Sequence, residues 1–78
     1  MSAKLGQKMQ DGLRAYEQRS WNVLADQWLI DRGYHPKVAA SIIDRLDRKG
    51  YIEYGVSARS GWLTDEGIDA LRQLDKPL

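Results

Sequence analysis

The chain contains four stretches in which apolar residues recur at helical spacing. In the first, residues 3–19, an apolar side chain returns every three or four positions with charged residues in between, which predicts an amphipathic helix. Its apolar positions are Leu5, Met9, Leu13 and Tyr16. Gly12 lies inside this stretch, where it either weakens the helix by about 1 kcal/mol relative to alanine or marks a close approach to another helix.

The second stretch predicts a helix that is capped by Ser20 and ended by Gly33. Its apolar face comprises Trp21, Leu24, Ala25, Trp28 and Leu29. The link to the next helix is short. Pro36 suits the first turn of that helix, because an N–H in the first turn has no hydrogen-bond partner within the helix and proline lacks this N–H. Two helices joined by a short link that contains glycine have the helix-turn-helix arrangement.

The third stretch predicts a helix from Lys37 with one buried side and one hydrated side. Its apolar positions are Val38, Ala39, Ile42, Ile43 and Leu46, and the polar positions beside them are Lys37, Ser41, Asp44, Arg45 and Arg48. Lys49 and Gly50 end the helix, because glycine adopts the left-handed conformation after a last helical turn at little cost. Arg48 and Lys49 also suit the negative end of the helix dipole.

A hairpin and a fourth helix are predicted after Gly50. The aromatic and β-branched run Tyr51–Tyr54 predicts a strand, residues 55–61 (GVSARSG) predict a loose tip, and residues 62–63 predict the second strand. Thr64 is the predicted N-cap of a helix from Asp65, whose apolar positions are Ile68, Leu71 and Leu74. Gly67 stands where a capping box would place glutamate, so the predicted cap is one-sided.

The segment RLDRKGYIEYGVSARSGWLTDEGIDAL resembles the winged-helix superfamily, in which the recognition helix ends at an LxxKG pattern, a β-hairpin wing follows and LTxxG opens a closing helix. The resemblance covers about the last two thirds of the chain. It implies an α+β, mainly α fold: three helices, a two-stranded wing from about Tyr51 to Leu63 and a closing helix from Asp65, in a single domain over residues 1–78. It also implies a small sequence-specific DNA-binding transcriptional regulator.

The apolar pattern predicts one core. Its members are Leu5, Met9, Leu13, Tyr16, Leu24, Trp28, Val38 or Ala39, Ile42, Ile43, Leu46, Ile52, Leu63, Ile68 and Leu71. A chain of 78 residues buries only about 60% of the surface that its unfolded form exposes, so it gains from pairing and we expect a homodimer. No apolar run has the length of a membrane span and the N-terminus has no signal-peptide core, so we expect a cytoplasmic protein without a membrane partner.

The overall charge does not by itself indicate a nucleic-acid partner, because the net charge is only +1. Its distribution is more informative: the predicted third helix and wing are mildly basic, and the chain from Thr64 onward is acidic. If the partner is double-stranded DNA, we therefore expect it to contact the third helix and the wing. The candidate DNA-binding residues are Lys37, Ser41, Arg45, Arg48, Lys49, Arg59 and Ser60.

The third helix could enter a major groove, and Arg59 at the wing tip could reach a phosphate or a minor groove. The set of base-reading side chains is small, since Ala40 can contact only a thymine methyl and Asp44 repels phosphate. The alternative for the helix is a hydrated outer face with no ligand.

The aromatic residues favour a second interpretation. Three tryptophans and four tyrosines exceed what so small a core needs, and surplus aromatic rings on a surface favour a protein interface. Trp21, Trp62 and Tyr54 are the candidates for such an interface, although each could instead cover an end of the core. Winged helices also serve as docking domains, so a protein-interaction module, an adaptor or an inhibitor, is the alternative function.

No chemistry of an enzyme or a metalloprotein is predicted. The chain has no cysteine and one histidine, His35, which is expected to act as a turn or capping group beside Pro36. It has no nucleophile with a matching base, and residues 55–61 lack the Lys-Ser/Thr pair that a phosphate-binding loop requires. We therefore expect no catalytic residues, no metal and no cofactor.

Overall fold

The computed structural model describes residues 5–75, which form four α-helices and one two-stranded antiparallel sheet. The order is α1 (Gln7–Gln18), α2 (Ala25–Asp31), α3 (Pro36–Arg48), β1 (Ile52–Glu53), a 3₁₀ turn (Ala58–Ser60), β2 (Trp62–Leu63) and α4 (Asp65–Asp75). The predicted mainly helical α+β class is confirmed. The predicted start of the first helix at residue 3 lies outside the described residues, and within them Gly6 is the N-cap and the helix begins at Gln7.

The core lies between α1, α2 and α3 and is closed by β1 and α4. The buried apolar residues are Met9, Leu13, Ala15, Tyr16, Ala25, Trp28, Leu29, Ala39, Ile42, Ile43, Leu46, Ile52 and Leu71. Ten of the predicted core residues are among them: Met9, Leu13, Tyr16, Trp28, Ala39, Ile42, Ile43, Leu46, Ile52 and Leu71. Leu5 and Leu63 are half-buried against the core, whereas Leu24 and Ile68 are exposed, so their assignment to the core is wrong.

The predicted start of the second helix at Ser20 is also wrong. The Val23 N–H donates to the Ser20 carbonyl at 2.9 Å and closes a turn, and α2 begins only at Ala25 with Leu24 as its N-cap. The Arg19 side chain donates to the Val23 carbonyl at 3.1 Å and stabilises this turn. Trp21 therefore lies on an exposed turn rather than on a buried helical face.

The boundaries of α3 agree with the prediction. The Lys37 N–H donates to Nδ1 of His35 at 3.1 Å, so His35 is the N-cap, and Pro36 occupies the first turn. Lys49 is the C-cap, and Gly50 follows it at φ +76°, a conformation that a side chain would strain. The capping role expected of His35 is confirmed.

Gly12 marks the closest approach of α1 to α3. A methyl group added at Gly12 would lie 2.6 Å from Cγ2 of Ile42 and 2.8 Å from Cδ1 of Leu46, both of which are buried. Of the two predicted roles of this glycine, close approach to another helix is therefore confirmed. The absence of a side chain at this position sets the spacing of the two helices.

The hairpin after α3 is short and its tip is packed. Ile52 pairs with Leu63 on the inner face and Glu53 pairs with Trp62 on the outer face. At the hairpin tip, residues 54–61, the Tyr16 hydroxyl donates to the carbonyl of Ala58, inside the 3₁₀ turn. A side chain of α1 therefore holds the predicted loose tip at Ala58, whereas Val56 in the same tip is exposed.

Thr64 joins the hairpin to α4, as predicted for an N-cap. Its hydroxyl accepts from the Gly67 N–H at 3.1 Å and donates to the Gly50 carbonyl at 2.6 Å. A side chain at Gly67 would collide with the Tyr51 carbonyl, which explains why glycine replaces the capping-box glutamate. Gly67 thus lies on the side of α4 that packs against the rest of the protein. Leu71, one turn later, is buried on the same side, whereas Ile68 is exposed.

Candidate nucleic-acid interface

The exposed side of α3 carries most of the predicted DNA-binding residues. Ala39, Ile42, Ile43 and Leu46 face the core, so the opposite side of the helix is in contact with solvent. Lys37, Ser41, Asp44, Arg45 and Arg48 are all exposed there. The same helical spacing that places the apolar residues of α3 on its buried side places these polar residues together on its exposed side.

A depression of about 170 Å³ lies between α3 and α1, and we refer to it as the α1–α3 depression. Its lining residues are Lys8, Lys37, Val38, Ser41, Ile42 and Arg45. Three of these six side chains are cationic and none is acidic. The structure thus brings together Lys37, Ser41 and Arg45 from the predicted set and adds Lys8, which the sequence patterns did not single out.

The position of Lys8 follows from Gly12. Lys8 precedes Gly12 by one helical turn and so lies on the side of α1 that approaches α3. Two features of the sequence together could have indicated Lys8. A glycine inside a helix marks a side that packs closely against another helix, and a cation four residues earlier lies on that same side. Neither feature alone identifies the partner helix.

The carboxylates nearest in sequence to Lys8 and Arg45 are bound to other side chains. Asp44 Oδ2 lies 3.0 Å from Nη2 of Arg48. Asp11 accepts from the Gln7 amide at 2.9 Å and also from the Tyr34 hydroxyl. The hydrogen bond to Asp11 raises the pKa of Tyr34 to about 12, so this hydroxyl remains a donor at neutral pH.

The cations of the depression differ in their partners from Arg14, Arg48 and Arg59. Within residues 5–75, ion pairs involve Arg14, Arg48 and Arg59, and none involves Lys8, Lys37 or Arg45. A cation without a carboxylate partner can approach a phosphate without first breaking an ion pair.

The remaining predicted DNA-binding residues lie apart from the depression. Arg48 pairs with Asp44 one turn earlier, and Lys49 is the C-cap of α3. Nη1 of Arg59 lies 3.4 Å from Oδ2 of Asp26 in the first turn of α2, and the Ser60 hydroxyl donates to the Ser57 carbonyl at 3.1 Å. The hairpin tip is thus directed toward α2, and its side chains do not line the α1–α3 depression.

The predicted interface aromatics are exposed to different extents. Trp21 is 91% exposed, Trp62 is 54% exposed and Tyr54 is 40% exposed. The Tyr54 hydroxyl donates to Asp47 at 2.9 Å, and this bond raises the pKa of Tyr54. Tyr54 is therefore held against α3, while the two tryptophan rings project from the surface.

Arg19 connects the segments that carry the two tryptophans. Its guanidinium donates to the Val23 carbonyl at 3.1 Å and to the Gly61 carbonyl at 2.9 Å. The turn before α2 and the start of β2 are thereby held next to each other. Trp21 lies in the first of these segments and Trp62 opens the second, which places two exposed rings on neighbouring segments.

Neither a metal-binding cluster nor a membrane-spanning helix is present in the described part of the chain. Residues 5–75 contain no group of three or more His, Asp or Glu side chains placed to hold a metal ion. Over the same residues, no helix has the length and apolar character needed to cross a membrane.

Comparison of the chain with protein-family models, with curated proteins and with solved structures gave no match. The side chains described above are therefore the basis for assigning a function.

Proposed function

We propose that the chain is a winged-helix domain that binds double-stranded DNA as a small transcriptional regulator. In this proposal α3 enters the major groove, and the hairpin tip acts as the wing and lies over the adjacent backbone. The order of α2, a short turn, α3, a hairpin and α4 supports this assignment, since it follows the order of elements in that superfamily.

The observation that carries the proposal is the exposed face of α3, on which Lys37 and Arg45 make no ion pair within residues 5–75 and flank Ser41. A major groove is wide enough for one α-helix. Lysine and arginine neutralise phosphates, and serine and arginine can also donate to base edges. This face therefore offers both a backbone contact and a limited capacity to distinguish bases.

The hairpin tip supports the proposal because it is already ordered. The Tyr16 hydroxyl and the Arg19 guanidinium hold the carbonyls of Ala58 and Gly61, which lowers the conformational entropy that the 3₁₀ turn loses on binding. Arg59 and Ser60 are exposed on this tip, and they are its candidate phosphate contacts. Arg48 and Lys49 are exposed at the end of α3 and are further candidate phosphate contacts, Arg48 in competition with its partner Asp44.

The test is binding of a labelled random-sequence duplex by fluorescence anisotropy while salt is raised from about 50 to about 200 mM. Each phosphate contact contributes about 0.9 to the slope of log K against log salt, so Lys37→Ala is expected to flatten the slope by about that amount for each chain bound. Arg72→Ala, which removes an exposed cation from α4, is the matched control and is expected to leave the slope unchanged. Absent or salt-insensitive binding would contradict the proposal.

A homodimer is part of the proposal. A chain of 78 residues has a small core, and two copies related by a twofold axis would read two half-sites about one helical turn of DNA apart. Sedimentation equilibrium of the free protein and of its complex with DNA measures this directly. A monomer in both states would contradict it.

A second candidate function, a protein-interaction module, is favoured by the two exposed tryptophan rings on segments joined by Arg19. Exposed tryptophans are frequent binding hot spots in protein interfaces. This function predicts that Trp21→Ala or Trp62→Ala abolishes binding of a partner protein and that Lys37→Ala does not. DNA binding predicts the reverse dependence, so the same three variants separate the two functions.

A further inference from the structure

We infer that α1 supplies a phosphate contact through Lys8, so that the α1–α3 depression, rather than the hairpin tip, is the principal DNA-backbone contact of this domain. The inference rests on the proposed DNA-binding function and assigns to that function a second element and a new residue.

The first support is the geometry of the two helices. Gly12 lets α1 approach α3 so closely that an added methyl group would overlap Ile42 and Leu46. Lys8 lies one turn before Gly12 and lines the same depression as Lys37 and Arg45. Cations from both α1 and α3 therefore line the α1–α3 depression, so an anion bound there can contact both helices.

The second support is the charge around the depression. Lys8, Lys37 and Arg45 face it without a lining carboxylate, and Asp44, the acidic residue next to Arg45 in sequence, is paired with Arg48. Asp11, one turn from Lys8, is hydrogen-bonded to the uncharged side chains of Gln7 and Tyr34 and does not line the depression. Three neighbouring cations repel one another, and an anion placed between them relieves that repulsion. A phosphodiester group has the required single negative charge and several acceptor oxygens.

The third support is the chemical composition of the depression. The Ser41 hydroxyl adds a donor, and Val38 and Ile42 supply an apolar part of the lining. The volume of about 170 Å³ is several times that of a water molecule in the liquid, about 30 Å³, so a phosphate group fits.

The hairpin tip lacks these features. Arg59 faces Asp26 at 3.4 Å, so a phosphate that binds Arg59 must compete with a carboxylate and must tolerate its charge nearby. Removal of Arg59 is therefore expected to change the salt dependence of DNA binding less than removal of Lys8 does.

The experiment measures the salt slope of duplex binding for the unmodified chain and for Lys8→Ala, Lys37→Ala, Arg59→Ala and the control Arg72→Ala. Lys8→Ala is expected to flatten the slope by about 0.9, as Lys37→Ala does, and Arg59→Ala by less. A slope unchanged by Lys8→Ala beside one flattened by Lys37→Ala would overturn the inference and leave the proposed function intact. No binding by the unmodified chain would overturn both.

A second measurement does not depend on affinity. The chain has no cysteine, so a Lys8→Cys variant carries a single thiol that can be alkylated at a measured rate. Saturating duplex at low salt is expected to slow alkylation of Lys8→Cys at least tenfold and to leave that of Arg72→Cys unchanged. Equal rates with and without duplex at Lys8→Cys would overturn the inference.

Discussion

The guanidinium of Arg59, at the tip of the hairpin, lies 3.4 Å from the carboxylate of Asp26 in the first turn of α2. This contact joins residues 33 positions apart and directs the hairpin tip toward α2. Both groups are partly exposed, so the pair contributes at most about 1 kcal/mol to stability. Its larger consequence is electrostatic, because the pair cancels a positive charge at the position where a wing would approach DNA.

The Asp26→Asn variant tests this consequence. Removing the carboxylate leaves Arg59 available to a phosphate, so we expect tighter duplex binding at low salt and a salt slope steeper by up to about 0.9. The free energy of unfolding, measured in urea, is expected to change by less than about 1 kcal/mol. Weaker duplex binding by Asp26→Asn would contradict this account of the pair.

The Tyr16→Phe variant tests what holds the hairpin tip. Loss of the hydroxyl leaves the part-buried Ala58 carbonyl with the longer bond from the Gly61 N–H, at 3.3 Å, and we expect a loss of about 1 kcal/mol in the free energy of unfolding. Amide exchange in residues 55–61 is expected to accelerate more than exchange in α3 does. Tyr51→Phe is the control, since the Tyr51 hydroxyl makes no side-chain hydrogen bond within residues 5–75.

The Gly12→Ala variant tests the close contact of α1 with α3. Alanine in a helix interior gains about 1 kcal/mol in helix propensity, but the methyl group must displace two buried side chains, which costs about 1–3 kcal/mol. We expect net destabilisation of roughly 1 kcal/mol in urea unfolding. Gly55→Ala, where an added methyl group meets open space, is the control. A more stable Gly12→Ala variant would contradict the close packing.

The contact between Arg14 and Asp75 predicts an acid-dependent loss of stability. Nη2 of Arg14 lies 2.6 Å from Oδ1 of Asp75, and this hydrogen bond lowers the pKa of Asp75 below 3.8. A carboxylate with a lowered pKa in the folded state stabilises the fold above its unfolded pKa, and that contribution is lost as the pH falls through the folded pKa. The free energy of unfolding of the unmodified chain should therefore fall more than that of Asp75→Asn as the pH drops below 3.8.

Urea unfolding over a series of acidic pH values measures this difference. Asp69→Asn is the control, because Asp69 is exposed on the same helix and makes no ion pair within residues 5–75. Parallel pH dependence of the unmodified chain and Asp75→Asn would contradict the assigned role of Arg14.

The elements that were predicted correctly are those whose signals are local. Pro36 and Gly50 bound α3 because each acts on its own backbone conformation, and Thr64 caps α4 with a group three residues away. The start of α2 was missed because Trp21 and Leu24 continue the helical spacing by chance. The turn that excludes them depends on Arg19, a residue that belongs to the end of α1.

The candidate site was only partly predictable for a related reason. Helical periodicity was sufficient to place Lys37, Ser41 and Arg45 on one exposed face. Lys8 joins them through the way two helices pack, and Arg59 is turned toward Asp26 by the folding of the hairpin tip onto α2. Spacing along the chain does not by itself identify the partner element in either relationship.

The salt dependence of duplex binding tests the central claim most directly. If Lys8, Lys37 and Arg45 each contact a phosphate, the slope is at least about −2.7 per chain, and the contribution of each bound chain to affinity falls about 40-fold between about 50 and about 200 mM salt. Loss of Lys37 should reduce this fall to about 12-fold. A duplex affinity that does not change with salt, or a slope that Lys37→Ala leaves unaltered, would contradict the claim that this face of α3 binds DNA.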